Sequence, residues 1–321
     1  MRRVAIIGYG AIGRSLAEGL RGAGGYTVAV LLAPGSRSRE RVEEDGRGWH
    51  DDRPRQPETR SEAEPRRTRR TDPPPGGVGR SDEVDRGGDR AEGGAGASPC
   101  PSRLRAIGDV EELRTFGPDL VVEAAGAEAV RAHGPACLRL GVPLLLSSVG
   151  ALGDDALRDA LVEAAREGRT RLYLPSGALA GLDYVRAARG GADLRVRYES
   201  RKPPAAWADE LARLGLPPRP EGAVTLFEGH AREAAARYPA NLNVAATLAL
   251  AGPGFEETEV AVVVDPAAAG NTHRVTVESA FGRLDVAVAN RPSPDNPKTS
   301  WIVSRALLAA IEQHFATVVF L

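Results

Sequence analysis

The sequence lacks the cysteines, the long apolar runs and the signal peptide that characterise several classes of protein. Its two cysteines, Cys100 and Cys137, are too few for a disulfide framework or a four-cysteine zinc site, and we predict no metal. Apolar runs such as residues 142–146 are far shorter than the roughly 20 residues of a membrane helix. Residues 1–10 do not have the layout of a signal peptide, so we expect a cytoplasmic protein with no membrane partner.

Neither sign of charge is in excess. The 42 Lys and Arg residues balance 43 Asp and Glu residues, which leaves a net charge of -1. Because nucleic acids and anionic surfaces are bound through accumulated basic residues, we expect no nucleic-acid partner. Lysine itself is nearly absent, since only Lys202 and Lys298 occur.

Residues 35–103 contain few of the apolar side chains that build a core. These 69 residues hold 15 Arg, 15 Asp or Glu, 11 Gly and 8 Pro, but only Val42, Trp49, Val78 and Val84 among the larger aliphatic and the aromatic types. Such a segment cannot bury enough apolar surface to offset its chain entropy. We therefore predict that residues 35–103 are a disordered insertion, and that the remaining chain suffices for two small domains or one large one.

A glycine-rich motif follows the first predicted strand, residues 3–7, and precedes a predicted helix, residues 14–23. The motif reads Gly8-Tyr9-Gly10-Ala11-Ile12-Gly13, which has the G-x-G-x-x-G spacing of a dinucleotide site. In such a site the first glycine makes the tight turn, the second admits the pyrophosphate, and the third allows close helix–strand packing, with Ala11 and Ile12 at the helix N-terminus. The alternative is a glycine turn that packs without a ligand.

The second predicted strand, residues 26–32, lacks the acidic residue that binds the adenosine ribose in NAD-specific sites. Arg37 and Arg39 follow it and would suit a 2′-phosphate, so we expect NAD or NADP as cofactor. Equally, these arginines could simply begin the insertion.

Strands and helices alternate as far as residue 174, which predicts an α/β Rossmann-type domain with a doubly wound parallel sheet over residues 1–174. Ala125 and Gly126 follow a strand, where ligands bind in open α/β sheets. Residues 175–292 then read as an α+β domain with a largely antiparallel sheet. Residues 293–321 predict a C-terminal helix that returns to the first domain.

Seven motifs, spread along nearly the whole chain outside the insertion, resemble the L-aspartate dehydrogenase family of NAD(P)-dependent amino-acid dehydrogenases. The sequence PANLNVAA, followed by NTH and then NPKTS, is the specific part of the resemblance. The motifs are GYGAIG at residues 8–13, VVEAAG at 121–126, PSGALAGLD at 175–183, RKPP at 201–204, FEGHAREAAARYPANLNVAA at 227–246, VDPAAAGNTH at 264–273 and NPKTS at 296–300.

The resemblance implies a Rossmann domain and an α+β domain that carries the catalytic residues and the surface of a homodimer. It implies oxidation of L-aspartate through iminoaspartate to oxaloacetate and ammonia, a reaction that can feed NAD biosynthesis. By the same resemblance the catalytic histidine falls on His273, and the nicotinamide-side contacts fall on Ala178 and Asn243.

Oxidation of an amine also needs a proton acceptor that titrates near neutral pH, a role suited to histidine. Of five histidines, His230 and His273 lie in the second predicted domain. His273 begins a strand after Asn271 and is our candidate; His230 is the alternative, and a structural histidine is a third reading.

A substrate with two carboxylates requires cations or N–H donors in its site. We expect Lys202, and Lys298 with Thr299 and Ser300 at a helix N-terminus, to bind it together with Asn271, although a lysine is often only a surface cation. The alternatives are another enzyme of this fold, acting on homoserine or a cyclic imine as dihydrodipicolinate reductase does, and a dinucleotide sensor without turnover.

Overall fold

Two sheets, one parallel and one mixed, organise the protein. The structure is a computed structural model that describes residues 1–33, 35–47, 104–238, 243–294, 296 and 299–320. No helix in these ranges is long and apolar enough to cross a membrane.

The first sheet consists of six parallel strands in the order β3-β2-β1-β4-β5-β6. β4, all of β2 except Thr27, and β1 after its first two residues are buried, as expected for parallel strands with both faces covered. The strands are β1 (Arg2–Ile7), β2 (Tyr26–Leu31), β3 (Leu104–Ile107), β4 (Leu120–Glu123), β5 (Leu144–Leu146) and β6 (Leu172–Tyr173).

Helices cover both faces of this sheet, which confirms the doubly wound prediction. Because side chains alternate along a strand, Val4 and Ile6 of β1 pack with one group of helices, while Ala5 and Ile7 pack with the other. The helices are α1 (Ala11–Ala23), α2 (Ser38–Arg47), α3 (Val110–Phe116), α4 (Ala127–Arg139) and α5 (Asp155–Glu167).

The helix α2 lies within the range predicted to be disordered, so that prediction is wrong for residues 38–47. Three contacts hold the helix: Val42 is fully buried, the Tyr9 hydroxyl donates to Asp45 over 2.7 Å, and Gly46 packs closely on Leu104. The overall composition of residues 35–103 gave no indication that Val42 would be buried. Residues 48–103 lie outside the described residues.

The second sheet has the order β11-β10-β7-β9-β8, and every neighbouring pair except β7 and β9 is antiparallel. The prediction of a largely antiparallel sheet is therefore confirmed. Its strands are β7 (Arg195–Lys202), β8 (Val224–His230), β9 (Thr258–Val264), β10 (Asn271–Ser279) and β11 (Gly282–Asn290), and its helices are α6 (Leu182–Ala188), α7 (Ala208–Arg213), α8 (Ala231–Arg237) and α9 (Asn243–Ala251).

The last helix, α10 (Ile302–His314), packs on the first domain. Leu308 lies directly over Gly19 of α1, where a Cβ would come within 2.5 Å of it. This packing holds the preceding residues, 299 and 300, at the junction of the two sheets, where the candidate site lies.

Candidate active site

The glycine turn between β1 and α1 is shaped by packing at two positions and open at the third. Gly8 has a φ of +93°, and a Cβ there would lie 2.6 Å from Ala125 Cβ. A Cβ on Gly13 would lie 2.3 Å from the Gly8 carbonyl oxygen, whereas one on Gly10 would meet nothing within 4 Å. The turn is therefore closely packed from inside and leaves room beside Gly10 for a ligand.

The N-terminus of α1 is suited to an anion. No side chain caps it, and its first turn contains no acidic residue. The amide groups of Ala11 and Ile12 lie in this first turn, where backbone N–H groups have no intrahelical acceptor and the helix dipole favours negative charge. Ile12 also lines the cavity described next.

A cavity at the junction of the two domains brings together predicted residues from both domains. Seven predicted residues line it: Ile12, Ala178, Lys202, Asn243, His273, Thr299 and Ser300. Ser147, Val149, Ser176 and Thr247 are among the other lining residues. Gly8, Gly10 and Gly13 belong to the adjoining turn, and Lys298 lies outside the described residues.

His273 is 4% exposed and has different surroundings at its two ring nitrogens. Its Nδ1 lies 2.7 Å from the hydroxyl of the fully buried Tyr198. Its Nε2 is buried and has no hydrogen-bond partner in the described part of the chain. Burial, and secondarily the positive charge of Lys202, lower the pKa of His273 to about 4. The imidazole is thus neutral at pH 7, with one nitrogen free.

Lys202, the last residue of β7, is a buried cation at the same cavity. It is 4% exposed, and its Nζ lies 5.4 Å from the centroid of the Trp207 ring. Burial alone lowers its pKa to about 8, and no carboxylate within the described ranges forms an ion pair with it. At neutral pH this ammonium is therefore available to an anionic ligand.

Asn271 and Ser300 join β10 to the segment before α10. The Asn271 Nδ2 donates to Ser300 Oγ over 3.3 Å, while the Asn271 Oδ1 is buried with no partner among the described residues. Asn271 lies two residues before His273, so both point to the same face of β10. A buried acceptor and a buried imidazole nitrogen thus share one side of the sheet.

Asn243 and Ala178 are each held by a neighbour. The Gly150 N–H donates to Asn243 Oδ1 over 2.9 Å, which joins the second domain to the loop after β5. The Ala178 carbonyl accepts a hydrogen bond of 3.2 Å from Asn290 Nδ2 at the end of β11.

The alternative histidine is separated from this cavity. His230 is exposed at the end of β8 and does not line the cavity. His133 lies on α4, and His314 packs edge-on against Tyr173. Among the histidines that the structure describes, the geometry favours His273 as the proton acceptor.

Two polar residues of the site were not predicted from the sequence. Tyr198 lies on the inward face of β7, and only the pairing of β7 with β10 brings it to His273. Glu123, the last residue of β4, is fully buried and accepts hydrogen bonds from the amides of Ala125 and Gly126. An inward-pointing polar residue in an alternating strand was the available indication for Tyr198.

Arg39, a candidate for a 2′-phosphate, lies in α2. Its guanidinium lies beside Gly108, where a Cβ would be 3.3 Å from Nη2, and Arg37 immediately precedes the helix. Both arginines therefore follow β2, the strand that carries the adenosine-side contacts in Rossmann domains.

Comparisons with known proteins agree with this architecture. A family model described as the C-terminal part of aspartate dehydrogenase matches residues 183–314, and one described as the NAD-binding domain of homoserine dehydrogenase matches residues 75–175. The chain is 52% identical over 215 residues to L-aspartate dehydrogenase 2 of Bordetella bronchiseptica, which covers 67% of this chain and 80% of the relative.

It is also 45% identical over 202 residues to L-aspartate dehydrogenase of Ruegeria pomeroyi, covering 63% of this chain and 74% of that protein. The crystal structure of an aspartate dehydrogenase from Thermotoga maritima shares the fold, with a TM-score of 0.59 at 24% identity, over 100% of this chain and 99% of the other.

Proposed function

Since this chain belongs to the aspartate dehydrogenase family, we propose that it oxidises L-aspartate with NAD(P)+ to iminoaspartate, which water converts to oxaloacetate and ammonia. The observation that carries the proposal is the pair formed by Lys202 and His273 at one cavity. A buried ammonium without a counterion and a buried imidazole nitrogen without a partner are the groups that an anionic amine requires.

The dinucleotide fits the first domain. Its pyrophosphate would lie beside Gly10 and the N-terminus of α1, where space and free N–H groups coincide. Ala125 and Gly126 border the same turn, and Ala178 and Asn243 would lie on its nicotinamide side. When bound, this cofactor accepts the hydride that leaves Cα of the substrate.

His273 acts as the general base in this proposal. When Nδ1 donates its proton to the Tyr198 hydroxyl, Nε2 carries the lone pair and faces the buried side that has no partner. It can accept a proton from the substrate amine and later one from the water that attacks the imine. The hydrogen bond to Tyr198 holds the ring of His273 in position at the cavity.

Lys202 binds a substrate carboxylate and adjusts the basicity of His273. In the free enzyme the charge of Lys202 contributes to lowering the pKa of His273. A bound carboxylate offsets that charge, so the pKa of His273 rises when substrate binds and the imidazole becomes a stronger base. Asn271 and Ser300, with Thr299, complete the polar wall, and the Asn271 Oδ1 can accept a hydrogen bond from the amine.

The proposal extends to the use of both cofactors. The loop after β2 carries Arg37 in place of an acid, so the rate with NADP should lie within about tenfold of the rate with NAD, a difference under about 1.4 kcal/mol. The family resemblance extends the proposal to a homodimer that supplies imine for NAD biosynthesis, and we propose a cytoplasmic location for it.

The test is a panel of amino acids and imines assayed with NAD and NADP at the absorbance of the reduced nicotinamide. We expect aspartate to be oxidised at least about 100-fold faster than homoserine, because Lys202 selects a second carboxylate. Turnover of homoserine or of a cyclic imine in preference to aspartate would refute the proposal that aspartate is the substrate. Tight NADH binding without any turnover would instead indicate a sensor.

A further inference from the structure

Glu123 occupies an unusual position for an acidic residue. It is fully buried at the end of β4, and four hydrogen bonds converge on its carboxylate. Oε1 accepts from the N–H groups of Ala125 at 2.7 Å and Gly126 at 2.6 Å and from the Ser148 hydroxyl at 2.9 Å, while Oε2 accepts from the Ser148 N–H at 2.9 Å. We propose that Glu123 is a positioning residue that holds Asn243 in place for the nicotinamide cofactor.

The carboxylate ties together the ends of two neighbouring strands. Ala125 and Gly126 follow β4 and border the glycine turn, whereas Ser148 follows β5. All four donors belong to these two loops, and no cation within the described ranges pairs with Glu123. The group therefore acts through directed hydrogen bonds to backbone rather than through an ion pair, and its loss would release both loops.

A short path leads from Ser148 to the cavity. Ser147 and Val149, the neighbours of Ser148, both line it. A 3₁₀ helix over residues 149–153 begins directly after Ser148, and its Gly150 N–H donates to Asn243 Oδ1 over 2.9 Å. Asn243 lines the cavity, and because its oxygen is bonded to Gly150, its amide NH₂ group is the part that can donate to a ligand there. The position of Ser148 therefore determines where the side-chain amide of Asn243, a residue of the second domain, is held.

The substitution Glu123→Gln changes this path at one point. A glutamine oxygen at the Oε1 position keeps three of the four hydrogen bonds. Its NH₂ group then replaces Oε2 and meets the Ser148 N–H, so that two donors face each other at 2.9 Å. The perturbation therefore falls on the Ser148 backbone, which leads to Gly150 and Asn243.

The inference rests on the proposed use of NAD(P) but not on the identity of the substrate, and NADH fluorescence tests it without turnover. We expect Glu123→Gln and Asn243→Ala each to raise the Kd for NADH about tenfold. If Glu123 acts through Asn243, the double variant is weakened by only about 10- to 20-fold, because coupled residues are not additive. The matched control is Glu128→Gln, an exposed glutamate in the first turn of α4, which should bind NADH like the wild type.

Thermal unfolding of each variant accompanies the binding measurement. If Glu123→Gln does not unfold cooperatively, the cycle of Ser148→Ala with Asn243→Ala replaces it, with an expected loss of about threefold from Ser148→Ala alone and the same lack of additivity. A double variant weakened by about 100-fold, the product of two independent effects, would overturn the proposal, as would an unchanged Kd in Glu123→Gln. If the protein shows the coupling but does not oxidise aspartate, the proposal that aspartate is the substrate is wrong, whereas the proposed role of Glu123 is supported.

Discussion

Replacing Lys202 by methionine should stabilise the fold while it weakens substrate binding. The ammonium is buried, has no carboxylate partner in the described part of the chain, and contacts the Trp207 ring. A methionine keeps the length and the apolar contacts of the side chain without the charge. Lys202→Met therefore separates the stability of the fold from the function of the site.

The pKa of Lys202 gives the magnitude. Burial lowers this pKa from its ordinary 10.5 to about 8, which corresponds to about 3 kcal/mol of destabilisation at neutral pH. The loss of the contact between the cation and the Trp207 ring offsets about 1 kcal/mol of the gain. We expect Lys202→Met to unfold with a free energy about 2 kcal/mol higher than the wild type at pH 7.

The pH dependence of the difference identifies its cause. Below about pH 8 Lys202 is charged in both the folded and the unfolded chain, so the full penalty is present. As the pH rises toward 10.5, the folded chain gives up this proton before the unfolded chain does, so the wild type gains stability relative to the variant. Between pH 7 and pH 10 the variant's advantage should shrink by about 2 kcal/mol.

Urea unfolding at the two pH values measures this difference, and kinetics measure the function. The KM for aspartate should rise roughly 10- to 100-fold, the worth of a hydrogen bond to a charged group, while the Kd for NADH changes little. Arg201→Met is the control, because Arg201 adjoins Lys202, is half-buried and paired with Glu199 and Asp265, and does not titrate below pH 11. A Lys202→Met protein less stable than the wild type at pH 7, or a difference that stays constant with pH, would refute the reasoning.

The remaining predictions concern the base, the glycine turn and the helix α2. His273→Ala should lower kcat roughly 10²- to 10⁴-fold with NADH affinity intact; a near-normal kcat at saturating aspartate would remove His273 from the mechanism. Gly10→Leu should weaken NADH binding at least about tenfold without changing the Tm, because a Cβ there meets nothing within 4 Å; a lower Tm with normal binding would contradict this. Deleting residues 35–103 removes the buried Val42 and the bond between Tyr9 and Asp45, so it should lower the Tm; an unchanged Tm would show that α2 contributes nothing.

The features predicted from the sequence are those that depend on local order along the chain. The glycine spacing after a strand and before a helix placed Gly8, Gly10 and Gly13, because the turn, the close approach and the helix start lie within six residues. Alternating strands and helices gave the parallel sheet for the same reason. The motif of the family placed His273 and Asn243, both of which line one cavity.

The features that were missed depend on contacts between distant segments. The pairing of Tyr198 with His273 spans 75 residues and follows from the antiparallel register of β7 and β10, which a single sequence does not reveal. Glu123 was missed because an acid at a strand end is usually solvated, whereas here two loops supply its donors. Helix α2 was missed because its stability comes from packing of Val42 rather than from composition.

Three buried polar groups at or beside the cavity lack, among the described residues, the partners that buried polar groups usually have. Lys202 is buried without a counterion in the described part of the chain, and His273 Nε2 and Asn271 Oδ1 are two of the five buried polar side-chain atoms there that have no hydrogen-bond partner. Each of these departures lowers stability, so packing alone does not account for them. All three become favourable with a ligand that brings a carboxylate for Lys202, a proton for His273 and a donor for Asn271. An amino acid carries a carboxylate and an amine and would supply all three groups, so we expect the site to bind an anionic amine in preference to a neutral alcohol.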